Sequence, residues 1–271
     1  MDLGLSGRTA FVAGSSSGLG YAVARELLRE GCRVAICSRN SERITGAAEA
    51  LVDETKASHD DVLPMECDVT VEAHVVRSID RAAEHFGELN ILVTNAGGPP
   101  AGYIDDFTAE EWKQALDLNL MSTINMCRAA LPHLRAAAGQ SAKLARILMI
   151  TSISAKQPIP NLYLSNTARA GVQGFAKSLA EEVGPKGITV NTILPGYTRT
   201  DRLRELAANT SSTSGRSIEE VEAGWAQDNA LKRIADPEEF AAAAAFLVSA
   251  PASYVTGVAF PVDGGRSKHV L

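Results

Sequence analysis

Seven short apolar runs punctuate the chain, at residues 8–13, 33–37, 63–67, 90–94, 146–151, 188–194 and 257–262, and each reads as a strand. Between them the apolar positions fall at helical spacing. Ala22, Ala24, Leu27 and Leu28 mark a first helix. Residues 41–57 and 70–86 mark two more, the latter stopped by Gly87. Thr108 and Glu111 form a capping-box pattern that opens a long helix to about Leu134. A further helix runs from about residue 161 to Val183, with Ala168, Val172, Phe175, Leu179 and Val183 on one face, and Gly184-Pro185 ends it. Asp236-Pro237-Glu238-Glu239 supplies a cap, a proline at the first position and a glutamate at the third, which starts a last helix reaching Ser249.

Strands alternating with helices, with no repeat, linker or composition shift between them, predict an α/β fold. It is a single-domain, Rossmann-type, doubly wound sheet of about seven parallel strands, helices on both faces, spanning residues 1–271. Residues 199–235 break the alternation. They are polar and weakly patterned, and they follow the C-terminal end of a strand, so they read as a substrate-covering lid.

Charge and composition narrow the function classes. A net charge of −6 offers no electrostatic footprint for nucleic acid or an anionic membrane. Cys32, Cys37, Cys67 and Cys127 form no CxxC pair, and the five histidines show no metal-binding spacing, so no metal site is expected. The N-terminus lacks a basic region followed by an apolar one, and no 18-residue apolar run exists; a cytoplasmic protein is expected.

The candidate chemistry lies at strand ends. Gly14-Ser15-Ser16-Ser17-Gly18-Leu19-Gly20 sits between a strand and a helix, where glycines permit a tight turn and helix N–H groups face a diphosphate. Gly14, Ser16, Ser17, Gly18, Leu19 and Gly20 are therefore candidate cofactor residues. The second strand ends at Arg39-Asn40. An acid here would bond a ribose 2′-hydroxyl, whereas an arginine accommodates a 2′-phosphate, so the charge logic favours NADP(H) over NAD(H). Asp68-Val69, Asn95-Ala96-Gly97, and Pro195-Gly196 with Thr198 follow later strands, where ligands of open α/β sheets bind. Asn119 is a lone polar residue among apolar neighbours, readable as a core amide.

Gly14-x3-Gly18-x-Gly20, Asn95-Ala96-Gly97, Asn119, Ser152, Pro195-Gly196 and Val262-Asp263-Gly264-Gly265 occur in one order over nearly the whole chain. Together they resemble the short-chain dehydrogenase/reductase (SDR) family, and within it a 3-oxoacyl-ACP reductase-like subgroup with a degenerate catalytic tetrad. The resemblance implies an Asn-Ser-Tyr-Lys tetrad, with Tyr-x3-Lys on the helix after Ser152 and the tyrosine as general acid. It also implies pairing of subunits through the helices at 108–134 and 161–183, as a homodimer or homotetramer.

This chain has no Tyr-x3-Lys. Following Tyr163 gives Tyr163-x3-Thr167 and requires a compensating gap. The ungapped alternative is anchored on Ser152 before the site and on Gly174 through Ala180 after it. It puts Ser165 at the tyrosine position and Arg169 at the lysine position. Two residues along a helix is about 200° of rotation, so only one of Tyr163 and Ser165 faces the cofactor if both are helical. A serine hydroxyl is a far weaker acid than a phenol, and a guanidinium keeps its proton. Ser152 with Arg169 would stabilise a developing alkoxide while water or substrate gives the proton, which favours reduction over alcohol oxidation. Three readings follow: an NADP(H)-dependent reductase of a small-molecule carbonyl substrate, a non-catalytic NADP-binding homologue acting as sensor or partner subunit, and a non-redox enzyme on the same scaffold.

Overall fold

The computed structural model describes residues 1–139 and 144–270. In chain order the elements are β1 Thr9–Val12, α1 Gly18–Arg29, β2 Arg33–Ser38, α2 Ser41–Thr55, β3 Val62–Glu66, α3 Glu72–Phe86, β4 Ile91–Thr94, α4 Ala109–Leu116, α5 Ser122–Ala138, β5 Ala145–Ile150, α6 Tyr163–Val183, β6 Ile188–Pro195, α7 Asp201–Ser214, α8 Ile218–Asp228, α9 Pro237–Val248 and β7 Ala259–Val262. The seven strands form one parallel sheet in the order β3-β2-β1-β4-β5-β6-β7.

Alternation along each strand explains the two layers. Phe11 and Ala35 point to one face and pack with α3, α5 and α6 residues such as Ile79, Met126 and Val172. Ala10, Val12, Val34 and Ile36 point to the other and pack with α1, α2 and α9 residues such as Leu27, Leu51 and Phe240. Both faces are dry, which is why the strands read as continuous apolar runs. All four cysteines are buried free thiols.

Two segments differ from the sequence expectation. The helix expected over 108–134 opens on the Thr108–Glu111 capping box but is broken at Asp117–Met121 by a turn of π-helix. One residue of extra winding there turns Asn119 inward, fully buried. The polar stretch at 199–235 is built largely of two helices, α7 and α8, capped by Thr200 and Ser217. Few of their residues are buried, with Leu203, Ala207 and Val221 as anchors, so the hydrophobic periodicity that would have marked them is nearly absent. No described helix is long and apolar enough to cross a membrane.

Strand order reverses between β1 and β4, and the crevice outside their carboxyl ends is the topological switch point. The loops after β1, β2, β4, β5 and β6 all converge there.

Candidate active site in the switch-point crevice

The turn after β1 is built for close approach. Gly14 and Gly18 have φ of 57° and 62°, a region side chains disfavour. A Cβ on Gly20 would run into the Gly14 carbonyl oxygen and would stand 2.8 Å from Asn95 Nδ2, so Gly20 is there for packing. Asn95 Nδ2 donates to that same Gly14 carbonyl (3.0 Å) and ties the β1 and β4 loops together. Ser17, the N-cap of α1, makes no side-chain capping bond, which leaves the first-turn amides of α1 open to an anion.

These elements bound a cleft of about 560 Å³. Gly14, Ser16, Ser17, Gly18 and Leu19 line it, as do Arg39, Val69, Asn95, Ala96, Gly97, Pro195, Gly196 and Thr198. Ser152, Ser165 and Arg169 line it too. Five other sequence candidates stand outside its wall, Tyr163 among them. Gly20 packs behind the turn. Asn40 caps α2, its side chain accepting from Arg43 N at 2.8 Å. Asp68 accepts from Thr70 N (3.0 Å) and Thr70 Oγ1 (2.7 Å); burial pushes its carboxyl up, but these bonds together with the charges of Arg39 and His74 hold it below the usual range. Asn119 Nδ2 donates to Gly97 O at 2.7 Å, while its Oδ1 is buried without a partner.

The start of α6 separates the two tetrad alignments. Asn166 clamps the preceding loop, accepting from Ile159 N (3.2 Å) and donating to Ile159 O (2.9 Å), so the helix begins at Tyr163. Tyr163 is 41% exposed and leans on Tyr103, their ring centroids 6.2 Å apart. It does not line the cleft, whereas Ser165 and Arg169, one helical turn apart, both do. Arg169 is buried, and its guanidinium is turned to main chain: Nη1 donates to Ile150 O (2.9 Å) and Nη2 more weakly to Ala96 O (3.4 Å). Burial alone pushes its pKa down, to about 10, so the charge persists at neutral pH in a dry environment. Ser152 Oγ accepts from Ser154 N at 3.1 Å, and its hydroxyl proton is free for a ligand in the cleft.

Sequence reasoning missed several lining residues. Arg43, one helical turn after Arg39 in the first turn of α2, lines the same end of the cleft. Its spacing from Arg39 was the available signal. Tyr197, Arg202 and Arg266 line the cleft from the loop after β6, from α7 and from the segment after β7. Arg202 Nη2 donates to Pro99 O (3.0 Å), and Thr200 stands over Gly18. Tyr197 and Arg266 adjoin the Pro195-Gly196 and Val262–Gly265 motifs, which was the available signal, whereas nothing local marks Arg202, which tertiary packing brings in.

A family model described as enoyl-(acyl carrier protein) reductase matches residues 13–267. The chain belongs to the short-chain dehydrogenase/reductase family. Among SDR relatives, it is 33% identical to a 3-oxoacyl-[acyl-carrier-protein] reductase of Chlamydia muridarum over 97% of this chain and 98% of that one. Among solved SDR structures, L-sorbose reductase from Gluconobacter frateurii, complexed with NADPH and L-sorbose, superposes with a TM-score of 0.91 at 32% identity over 100% of both chains. An NADPH-bound short-chain oxidoreductase from Pseudomonas aeruginosa, described as containing an atypical catalytic center, has a TM-score of 0.86 at 33% identity over 97% of this chain and 98% of that one.

Proposed function

We propose that this SDR is an NADP(H)-dependent reductase of a small carbonyl compound, working without the family's tyrosine-lysine pair. One observation carries the reading: a single cleft has Arg39 and Arg43 at the β2 end and Ser152, Ser165 and Arg169 at the β5–α6 end. Two guanidiniums in place of an acid suit a 2′-phosphate. The open amides of α1 and the glycine turn suit a diphosphate. The NADPH-bound neighbours support the same cofactor.

When bound, NADPH would supply a hydride. The residues present would do the rest. Ser152 Oγ–H donates to the substrate oxygen and holds the developing alkoxide. Ser165, on the same wall, is a second hydroxyl donor. Arg169 contributes a fixed positive field from beneath, since its Nη groups are committed to Ile150 O and Ala96 O. Neither serine nor arginine is a proton source near neutral pH, so water or substrate gives the proton. We read α7 as part of the expected substrate-covering lid, since its Arg202, Leu203 and Leu206 line the cleft.

The test is a parallel titration of the protein with NADPH and NADH, followed by a carbonyl panel. Preferential NADPH binding with NADPH consumption that Ser152→Ala abolishes is the expected result. The commitment of Arg169 to main-chain carbonyls favours one competing reading, a cofactor-binding homologue without turnover. That reading predicts tight NADPH binding and no consumption across the panel.

A further inference from the structure

The charge inventory of the cleft is lopsided for a protein of net charge −6. Among the described residues, five arginines line it (Arg39, Arg43, Arg169, Arg202 and Arg266) against one acid, Asp201. Asp201 is engaged by Arg204 at 3.0 Å. Four of the arginines have an account: Arg39 and Arg43 for the 2′-phosphate, Arg169 on two carbonyls, and Arg202 on Pro99 O with Glu205 at 3.5 Å.

Arg266 is left over. It forms no ion pair among the described residues. Nearby Asp263 spends its carboxylate on the amides of Gly265 (2.9 Å) and Ser267 (2.8 Å). Among the described residues the only side-chain partner of Arg266 is neutral: Nη2 donates to Tyr197 OH at 2.8 Å, and the guanidinium lies 3.9 Å from the centroid of the Tyr197 ring. Tyr197 is in turn stacked on Trp225, at 4.7 Å and 17°. Tyr197, itself packed on Trp225, thus steadies the guanidinium without neutralising it.

The position is as telling as the charge. Arg266 follows β7, at the opposite side of the switch point from β2. The segment that carries it crosses to the active-site loop, where Lys268 N donates to Gln157 Oε1 at 2.9 Å, five residues after Ser152. Apolar Ile159, Leu162, Leu203 and Leu206 line the same cleft.

Resting on the reductase reading above, we infer that the substrate is an oxo acid: its carbonyl meets Ser152, and its carboxylate pairs with Arg266 held against Tyr197. The planar five-donor fork of arginine matches a carboxylate in two hydrogen bonds. A neutral ester or amide of the same skeleton leaves the guanidinium without its counter-charge, so discrimination falls on this one contact.

The experiment compares 5-oxohexanoate with its methyl ester as substrates for the NADPH-loaded protein, and titrates unreactive glutarate calorimetrically into protein with and without NADPH. Wild type should prefer the acid in kcat/KM, and the acid-to-ester ratio should fall at least tenfold in both Arg266→Gln and Arg266→Met. Arg266→Lys should recover part of it. Glutarate affinity should fall by a similar factor in the same variants. An ester preference in wild type, or a ratio unmoved by either variant, overturns the inference. If neither compound is reduced, the glutarate titration decides: saturable binding weakened at least tenfold without Arg266 supports it, and absent or unchanged binding overturns it. Failure of NADPH to bind would instead remove the reductase reading, which the glutarate titration of the cofactor-free protein reports separately.

Discussion

Restoring the family's pair at Ser165 and Arg169 is the sharpest test of how this site is laid out. Both residues face the cleft one helical turn apart, so Ser165→Tyr with Arg169→Lys would place a phenol and an ammonium on the wall beside Ser152. The acid is the gain. A positioned general acid is worth ~10²–10⁴-fold, and the nearby ammonium lowers the phenol's pKa toward the working range. The structural cost is small for a buried charge. Removing the guanidinium takes a donor from Ile150 O and Ala96 O, at about 1–3 kcal/mol for each carbonyl left unpaired. The ammonium that replaces it still donates to one of these carbonyls and meets the same desolvation that holds the guanidinium's pKa down to about 10, so the loss is confined to one weak hydrogen bond and the double variant should fold. The assay is NADPH consumption with unactivated ketones, alongside a melting curve and a cofactor titration. A rise of at least tenfold in kcat/KM is expected for the double variant, with Tyr163→Phe near wild type. A folded, NADPH-binding double variant with no gain, together with a loss on Tyr163→Phe, would refute the placement of Ser165 at the tyrosine position.

Four further outcomes are expected. Replacing both Arg39 and Arg43 with alanine should weaken NADPH binding by ~10–100-fold, with little change for NADH, because only the 2′-phosphate loses charge-assisted bonds; parallel titrations check this. Gly20→Ala drives a methyl group into the Gly14 carbonyl, and the ~1–3 kcal/mol typical of overpacking should lower the melting temperature by several degrees. Asn119→Ala leaves Gly97 O without its donor and should cost ~1–3 kcal/mol in denaturant unfolding. Among the described residues the cleft wall carries no histidine, lysine or glutamate, and Tyr197 is pushed up by burial despite Arg266; the hydrogen bond with Cys37 brings the Cys67 thiol in the wall down to about 7, so wild-type kcat/KM should show at most that one ionisation from about pH 6 to 9. A bell-shaped profile in that window would point to an acid or base outside the wall.

What could be read from the sequence was what is local. The strand runs, the glycine turn, the Thr108 and Asp236 helix starts and the cofactor-facing strand ends each state their geometry within a few residues. Of the candidates that stand outside the cleft wall, Asn40 and Asp68 are strand-end residues whose own neighbours, Arg43 and Thr70, engage them first. The π-turn at Asp117–Met121 has no compositional signature, and α7 and α8 bury too few residues to show a stripe. Arg202 sits 103 residues from Pro99, its main-chain partner, and Lys268, which follows Arg266 closely, sits 111 residues from Gln157, the loop partner of that segment. Such pairings are written in the fold and not in any window of sequence.

The beginning of α7 has a kinetic consequence. Thr200 over Gly18 and Arg202 bonded to Pro99 O form a strap across the crevice, anchored on both banks. A dinucleotide held along the glycine turn, as proposed above, would pass beneath that strap and would leave only when it lifts. Its residence time would then be set by a local opening of a few polar contacts, far cheaper than unfolding of the sheet, and a cofactor held firmly at equilibrium would still exchange at the frequency with which Arg202 lets go.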